Sequence, residues 1–235
     1  MTIWRPYLPL AGRTPFWHLA GMIASSGYPI EPVVERLSAQ PGIQKVPSPK
    51  LTLFVRKNFL EPELCARLIA LIDTNRRPST VSDYNGDAAF RTSETCDLSA
   101  DLAETEEVNR LVTAFTGLDP AHGEPLQGQR YEVGQEFKAH TDYFEPTGVD
   151  FEKFCSVAGQ RTWTVMIYLN DVEAGGATRF KAIDKIIQPE AGKLVIWNNL
   201  RPDARPNPNT LHHGMKVRAG VKYVLTKWYR ERPWE

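Results

Sequence analysis

The chain has 235 residues, of which 42% are hydrophobic and 24% charged, and its 28 basic and 28 acidic side chains give a net charge of zero. This composition is typical of a globular protein and argues against a disordered chain or a nucleic-acid-binding protein, which usually carries a basic excess. No apolar stretch reaches the roughly 20 residues that a membrane span needs, and the N-terminus lacks the apolar core of a signal peptide.

Residues 1–47 differ from the rest of the chain because prolines at positions 6, 9, 15, 29, 32 and 41 interrupt them. One helix is predicted there, IEPVVERLSA (30–39), whose apolar residues follow helical spacing. We expect a helical N-terminal extension that either packs on the main domain or serves self-association as a homodimer. The main domain then covers residues 48–235.

The elements of the main domain follow in two groups. LTLFVRKNF (51–59) alternates like a strand, and amphipathic helices are predicted at 62–73 and 100–117. From about residue 125 the pattern becomes strand-like, in LQGQRYEVGQEF, RTWTVMIYLND, GATRF, GKLVIWNN and VKYVLTKWYR. No long helical pattern separates these strands, so antiparallel pairing is expected. The predicted fold is α+β, with helices packed on one sheet of a double-stranded β-helix, or jelly roll.

The 3 cysteines, at positions 65, 96 and 155, are an odd number without a CxxC pair. We expect buried free thiols in a reducing compartment, and therefore a cytoplasmic location.

His140 and Asp142 form an HxD pair directly after a predicted strand. In extended backbone, side chains two residues apart point to the same face, so an imidazole and a carboxylate converge there. A third ligand from a distant strand would complete a 2-His-1-carboxylate iron site that leaves coordination positions open. His212 or His213 can supply that ligand.

Three further residues indicate a binding group beside this pair: Tyr131, Thr178 and Lys222. A dicarboxylate that chelates iron at one end needs a buried cation with hydroxyl donors at the other. These residues are of the required types, although each alone would be an ordinary residue of a strand.

Four segments occur in a fixed order along the chain: EPLQGQRYEVGQEFKAHTDYF, QRTWTVMIYLNDVEAGGATRF, GKLVIWNN and TLHHGMKVRAGVKYVLTKWYRERPW. Together they resemble the catalytic domain of the prolyl 4-hydroxylase family of iron(II)/2-oxoglutarate dioxygenases. The resemblance runs from about Leu51 to the C-terminus and leaves residues 1–47 outside it. It implies iron(II), 2-oxoglutarate and O2, and it raises ascorbate as a further requirement.

Carried onto this chain, the resemblance implies iron ligands at His140, Asp142 and His212. His212 is preferred to His213 because the run from Leu211 to Gly214 matches the family's Leu-His-x-Gly. The pocket for 2-oxoglutarate is implied at Lys222, Tyr131, Thr178 and Trp228. The substrate groove is implied at Arg91, Ser93, Glu124 and Arg161. No catalytic residue is expected beyond the metal ligands.

Two positions depart from the family pattern. A tyrosine that members often carry is Phe137 here, and a frequent Cys-Pro is Met215-Lys216. Both departures bear on the substrate rather than on the cosubstrate. Residues 144–159 resemble the family's mobile loop and suit a lid over the active site, with a plain surface loop as the alternative.

We therefore expect hydroxylation of a C–H bond with release of succinate and CO2. Asp142 favours this over halogenation, because a halogenase needs a small residue there. The expected substrate is a prolyl residue in a peptide or protein, since the groove positions are kept. A free amino acid or other small molecule is the alternative, and a non-catalytic metal-binding β-barrel module is a further one. No nucleic-acid or membrane partner is expected.

Overall fold

The computed structural model describes residues 30–79 and 89–234, which form two main β-sheets and four α-helices. The helices are α1 (Ile30–Ser38), α2 (Pro62–Thr74), α3 (Ala103–Thr116) and α4 (Phe151–Cys155). The strands are β1 (Ile43–Lys45), β2 (Leu53–Arg56), β3 (Arg77–Pro78), β4 (Glu94–Asp97), β5 (Gln127–Tyr131), β6 (Phe137–His140), β7 (Arg161–Tyr168), β8 (Ala174–Gly175), β9 (Thr178–Phe180), β10 (Lys185–Ile187), β11 (Leu194–Asn198), β12 (His212–Gly214), β13 (Val217–Ala219) and β14 (Lys222–Arg230).

The larger sheet has eight strands in the order β1-β2-β11-β7-β14-β5-β4-β3, and the smaller has four in the order β10-β9-β12-β6. Neighbouring strands in both sheets are antiparallel. Side chains from both sheets meet in one apolar cluster, in which Phe180 and Ile187 of the smaller sheet pack with Tyr168 and Trp197 of the larger. This arrangement is the double-stranded β-helix that the sequence predicted.

Strand β7 shows how the alternation of side chains builds two layers. Trp163, Val165 and Ile167 belong to the cluster that includes buried residues of α1, α2 and α3, whereas Met166 and Tyr168 belong to the cluster between the sheets. Because successive side chains in a strand point to opposite faces, one buried strand supports both layers. The helices therefore cover one face of the larger sheet, and the other face is left for the site.

The described part of the N-terminal segment is joined to the domain. Helix α1 lies where it was predicted, and β1 extends the larger sheet by pairing with β2. The predicted division between residues 47 and 48 stays a prediction, and residues 1–29 lie outside the described part of the chain. The segment LQGQRYEVGQEF is not one strand: β5 ends at Tyr131 and β6 begins at Phe137 in the other sheet.

All three cysteines are free and buried, as expected. In the ranges 30–79 and 89–234, the helices are too short or too polar to cross a membrane.

The turn before β11 depends on Gly192, which has a φ of +70°. Its carbonyl accepts hydrogen bonds from Phe59 N at 2.7 Å and Leu60 N at 3.2 Å. A Cβ added there would collide with the Leu60 carbonyl, whereas one added at Gly134, with a φ of +89°, would meet nothing within 4 Å.

We predict that Gly192→Ala lowers the free energy of unfolding by about 3 kcal/mol or more, because both the positive φ and the collision are unfavourable. Gly134→Ala is the matched control and should cost only about 1 kcal/mol, for the φ alone. Urea unfolding followed by circular dichroism measures both. Equal losses in the two variants would contradict the steric explanation.

Candidate active site

Two histidines meet where β6 and β12 pair. His140 ends β6 and lies directly opposite His212, which begins β12. Asp142 follows in the turn after β6. One possible ligand atom from each of the three lies within 4.8 Å of the others, and the search of the described residues finds no other group of His, Cys, Asp and Glu that could hold a metal ion.

Both imidazoles use Nδ1 for a structural hydrogen bond. Nδ1 of His140 lies 2.8 Å from the carbonyl of Lys138, and Nδ1 of His212 lies 2.9 Å from that of Thr210. A carbonyl only accepts, so Nδ1 carries the proton and Nε2 keeps its lone pair. Nε2 of His140 lies 3.6 Å from Oδ1 of Asp142. Such outer hydrogen bonds fix the tautomer that a metal-binding histidine needs.

The charges at this cluster also suit a metal. Burial, together with the charge of His140, lowers the pKa of His212 to about 4. Burial raises the pKa of the Asp142 carboxyl, but His212 and His140 outweigh that effect, and the pKa lies well below its ordinary value. At neutral pH His212 therefore offers a lone pair and Asp142 a carboxylate. This donor set fits iron(II).

Aromatic rings fix the orientation of both imidazoles. Phe137 stacks on His140 with ring centroids 3.5 Å apart, and Trp197 meets His212 edge-on at 4.9 Å. The guanidinium of Arg91 lies 4.8 Å from the centroid of the Phe137 ring. Phe137, a departure from the family pattern, thus packs between a candidate ligand and a predicted groove residue.

A narrow inner cavity extends from this cluster between the sheets, and Lys222 lies in its wall. Lys222 is opposite Tyr131 in the β14–β5 register, and its Nζ lies 4.9 Å from the Tyr131 ring centroid and 5.4 Å from that of Tyr168. None of the residues in 30–79 or 89–234 hydrogen-bonds or ion-pairs with this Nζ. Burial lowers the pKa of Lys222 to about 7. A buried cation without a counter-charge is energetically costly, so the cavity favours an anion.

Hydroxyl groups lie beside this lysine. Thr178 lines the cavity, and its Oγ1 accepts a hydrogen bond from the Tyr168 hydroxyl at 2.6 Å. Tyr131 donates its hydroxyl proton to Gln129 Oε1 at 2.8 Å. The structure therefore brings Tyr131, Thr178, Lys222 and Trp228 to one cavity, and their binding of 2-oxoglutarate stays a prediction.

The sequence analysis did not place seven residues of the wall in this cavity: Gln129, Phe137, Met166, Trp197, Gly214, Val224 and Thr226. Two of them carried a usable signal, because every second residue of β14 from Lys222 to Trp228 lines the cavity. Once Lys222 was placed there, the same spacing would have found Val224 and Thr226.

A larger outer cleft of about 690 Å³ adjoins the metal ligands. His140 and Asp142 line it, as do Trp228 and three of the four predicted groove residues, Arg91, Glu124 and Arg161. Ser93 is not part of its lining. Ser93 is buried behind Arg91, whose Nε lies 3.2 Å from the serine Oγ.

Glu124 is bound by two arginines. Arg161 donates Nε and Nη2 to its two carboxylate oxygens at 2.6 and 2.7 Å, and Arg230 donates Nη1 to Oε1 at 2.9 Å. The Arg161 guanidinium also lies 3.9 Å from the Trp228 ring centroid. Burial raises the pKa of Glu124, but Arg161 and Arg230 outweigh it, and the pKa is below its ordinary value. Glu124 therefore contributes to the cleft as a paired carboxylate.

The predicted lid, residues 144–159, contains α4 and borders the outer cleft through Phe144, Glu145, Gly148, Asp150 and Phe151. Gln160 fixes its beginning through two hydrogen bonds to the backbone of Phe144, at 2.8 and 2.7 Å. Arg230 donates to the carbonyl of Phe154 near its other end. Its movement as a lid stays a prediction.

Comparisons with known proteins agree with this site. The family model of the 2OG-Fe(II) oxygenase superfamily matches residues 126–230, so the domain is an oxygenase of that class. The chain is 34% identical over 201 residues to probable prolyl 4-hydroxylase 8 of Arabidopsis thaliana, across 75% of this chain and 67% of that protein. It is 33% identical to prolyl 4-hydroxylase 5 of the same plant, across 74% and 67%. The chain belongs to the prolyl 4-hydroxylase family.

Solved structures show the same fold. A viral collagen prolyl hydroxylase from Paramecium bursaria Chlorella virus-1, as its 2OG complex, has a TM-score of 0.57 and 24% identity, with 76% of this chain and 95% of that chain covered. A prolyl hydroxylase from Trichoplax adhaerens, in complex with a peptide fragment of hypoxia inducible factor, has a TM-score of 0.58 and 15% identity, with 93% and 94% covered.

The lowered pKa of Lys222 predicts a pH dependence of stability. Between pH 7 and the ordinary value of 10.5, the unfolded lysine binds a proton that the folded one has lost, so stability without ligand rises with pH. Lys222→Met removes this contribution. We expect the variant to be more stable than the parent protein by about 3 kcal/mol near pH 8, and this difference to shrink towards pH 10.5.

Urea unfolding at several pH values measures this difference. Lys216→Met is the control, because the Lys216 side chain is 54% exposed and its change should give no such trend. A constant difference between Lys222→Met and the parent protein across this range would contradict the prediction.

Proposed function

We propose that the chain hydroxylates a prolyl residue of a peptide or protein, using iron(II), 2-oxoglutarate and O2 and releasing succinate and CO2. The observation that carries the proposal is the uncompensated Lys222 in the wall of a cavity that also contains the His140, Asp142 and His212 cluster. A metal site alone would not need a buried cation beside it. A dicarboxylate bound between the two supplies the missing negative charge.

Bound iron supplies the oxidising chemistry, in which O2 and 2-oxoglutarate are consumed and a C–H bond of the substrate is hydroxylated. The chain's own residues then have distinct tasks. Nε2 of His140, Nε2 of His212 and the carboxylate of Asp142 bind the metal. Lys222 neutralises the far carboxylate of 2-oxoglutarate, and Thr178 and Tyr131 offer hydroxyls beside it. The apolar wall formed by Met166, Trp197 and Val224 excludes water.

The outer cleft supports a peptide substrate. At about 690 Å³ it is comparable to pockets for drug-sized ligands, roughly 300–1,000 Å³, and exceeds the space that free proline needs. Phe144, Phe151 and Trp228 offer aromatic surface for a prolyl ring, and Arg91 and Arg161 place positive charge in the cleft wall. The relatives named prolyl 4-hydroxylases support the same substrate class.

Other expectations remain part of this proposal. A requirement for ascorbate, a cytoplasmic location, self-association through residues 1–47 and the absence of a nucleic-acid partner stay predictions.

The main test incubates the purified chain with Fe(II), 2-oxoglutarate, O2 and a proline-rich peptide. We expect succinate release together with a peptide that has gained one oxygen atom, measured by mass spectrometry. His212→Ala should abolish both. His213→Ala is the matched control and should retain them, because Nε2 of His213 lies 2.9 Å from Glu136 instead.

The outcomes separate the alternatives. Modification of free proline but not of the peptide would favour the small-molecule hydroxylase. Metal binding without any succinate release would favour the non-catalytic module, and retained activity in His212→Ala would contradict the ligand assignment.

A second test concerns Lys222. Fe(II) and 2-oxoglutarate together give a visible charge-transfer band in the absence of O2, so the band reports chelation directly. We expect Lys222→Met to need about 100-fold more 2-oxoglutarate for half of this band, because a charged hydrogen bond worth roughly 1.5–3 kcal/mol is lost. Lys227→Met is the matched control, since Lys227 is also a buried lysine of β14 but does not line the inner cavity. Equal affinity in both variants would contradict the role of Lys222.

A further inference from the structure

A buried polar pair lies behind Asp142, on the side away from His140. Thr164 is in the middle of β7 and Asn199 directly follows β11, and both side chains are fully buried. The Thr164 hydroxyl lies 2.7 Å from Oδ2 of Asp142, and Nδ2 of Asn199 lies 2.9 Å from the same hydroxyl. The three side chains therefore form a chain of hydrogen bonds from the larger sheet to the turn that carries Asp142.

The direction of these bonds follows from the chemistry of the groups. An ionised carboxylate only accepts, so the single proton of Thr164 is donated to Oδ2 of Asp142. The threonine oxygen then accepts from Asn199 Nδ2, since an amide oxygen in that position would offer it no proton. The amide and the hydroxyl thus have one consistent arrangement, and both bonds point towards Asp142.

Burying Thr164 and Asn199 in the core is unfavourable unless their chain of hydrogen bonds to Asp142 serves a purpose. Asn199 Oδ1 has no hydrogen-bond partner within residues 30–79 and 89–234, and an unsatisfied buried polar atom is unfavourable. Apolar side chains of similar volume would fill this part of the core without that cost. The contact with Asp142 is therefore the property that distinguishes these residues from ordinary core residues.

The two oxygens of Asp142 have different surroundings. Oδ2 is occupied by Thr164, whereas Oδ1 is the oxygen that lies 3.6 Å from Nε2 of His140. We propose that Thr164, oriented by Asn199, is a positioning residue that fixes the rotation of the Asp142 carboxylate and leaves Oδ1 for the metal. This inference rests on the proposed function, since it assigns Asp142 as a metal ligand.

Titration with Co²⁺, followed by its visible absorption, tests the proposal without any turnover. Thr164→Val keeps the shape of the side chain and removes the hydroxyl, and we expect it to raise the Kd for Co²⁺ about 10- to 100-fold. Thr164→Ser restores the hydroxyl and should return the Kd to within about 3-fold of the parent protein.

Thr162→Val is the matched control. It removes a buried hydroxyl from the same strand, two residues away, but that hydroxyl donates to the carbonyl of Tyr229 at 3.1 Å. Its Kd should match that of the parent protein. If Thr164→Val fails to fold, Asn199→Ala decides, and we expect a rise of about 3- to 10-fold because the hydroxyl loses its orientation.

Parental Co²⁺ affinity and spectrum in a folded Thr164→Val protein would overturn the proposal, as would an equal loss in Thr162→Val or in Thr164→Ser. Parental Co²⁺ affinity in a folded Asn199→Ala protein would overturn the orienting role of Asn199. Failure of the parent protein itself to bind Co²⁺ or Fe(II) would instead remove the proposed function, and the two failures are therefore distinguishable.

Discussion

The pairing of β6 with β12 is the contact on which the active site depends. It sets His140 opposite His212, and the turn after β6 then adds Asp142. Because the side chains of a strand alternate between faces, a slip of one residue would turn His212 away and present a neighbour. That neighbour, His213, is engaged with Glu136 at 2.9 Å. The register of a short four-stranded sheet is thus a condition for metal binding.

The buried charged groups of the site differ in whether a group of opposite charge lies beside them. Glu124 is neutralised by Arg161 and Arg230, which both form ion pairs with its carboxylate. Lys222, in contrast, has aromatic rings around it and no counter-charge among the residues that the structure describes. Buried charges without partners are costly, and natural structures retain them mainly where a ligand supplies the partner. Lys222 is therefore a costly buried group whose missing partner a ligand would supply.

Much of this organisation could be predicted from the sequence. Runs rich in β-branched and aromatic residues predicted β7, β11 and β14, and helical spacing predicted α2 and α3, because both patterns are local. The HxD pair could also be recognised from adjacent residues. The choice of His212 and the role of Lys222 could be predicted only from the resemblance, which depends on the order of several motifs along the chain.

Contacts across strands could not be predicted in the same way. Thr164, Tyr168 and Asn199 look like ordinary residues of apolar strands, and their partners are set by registers between segments far apart in sequence. The pairing of Glu124 with Arg230 depends likewise on where β14 ends. The segment LQGQRYEVGQEF is divided between two sheets by a turn between Tyr131 and Phe137, and the strand-like pattern of the segment did not predict this turn.

Strand β14 joins the two ends of the site. Its alternate residues from Lys222 to Trp228 line the inner cavity, and Trp228 also reaches the outer cleft. An insertion or deletion within this strand would shift one end of the site against the other. By contrast, the segment 144–159 borders only the outer cleft, so its length and sequence can change without disturbing the inner cavity. Within one domain, the part of the wall that can vary with the substrate is thus separate from the part that surrounds the metal ligands and Lys222.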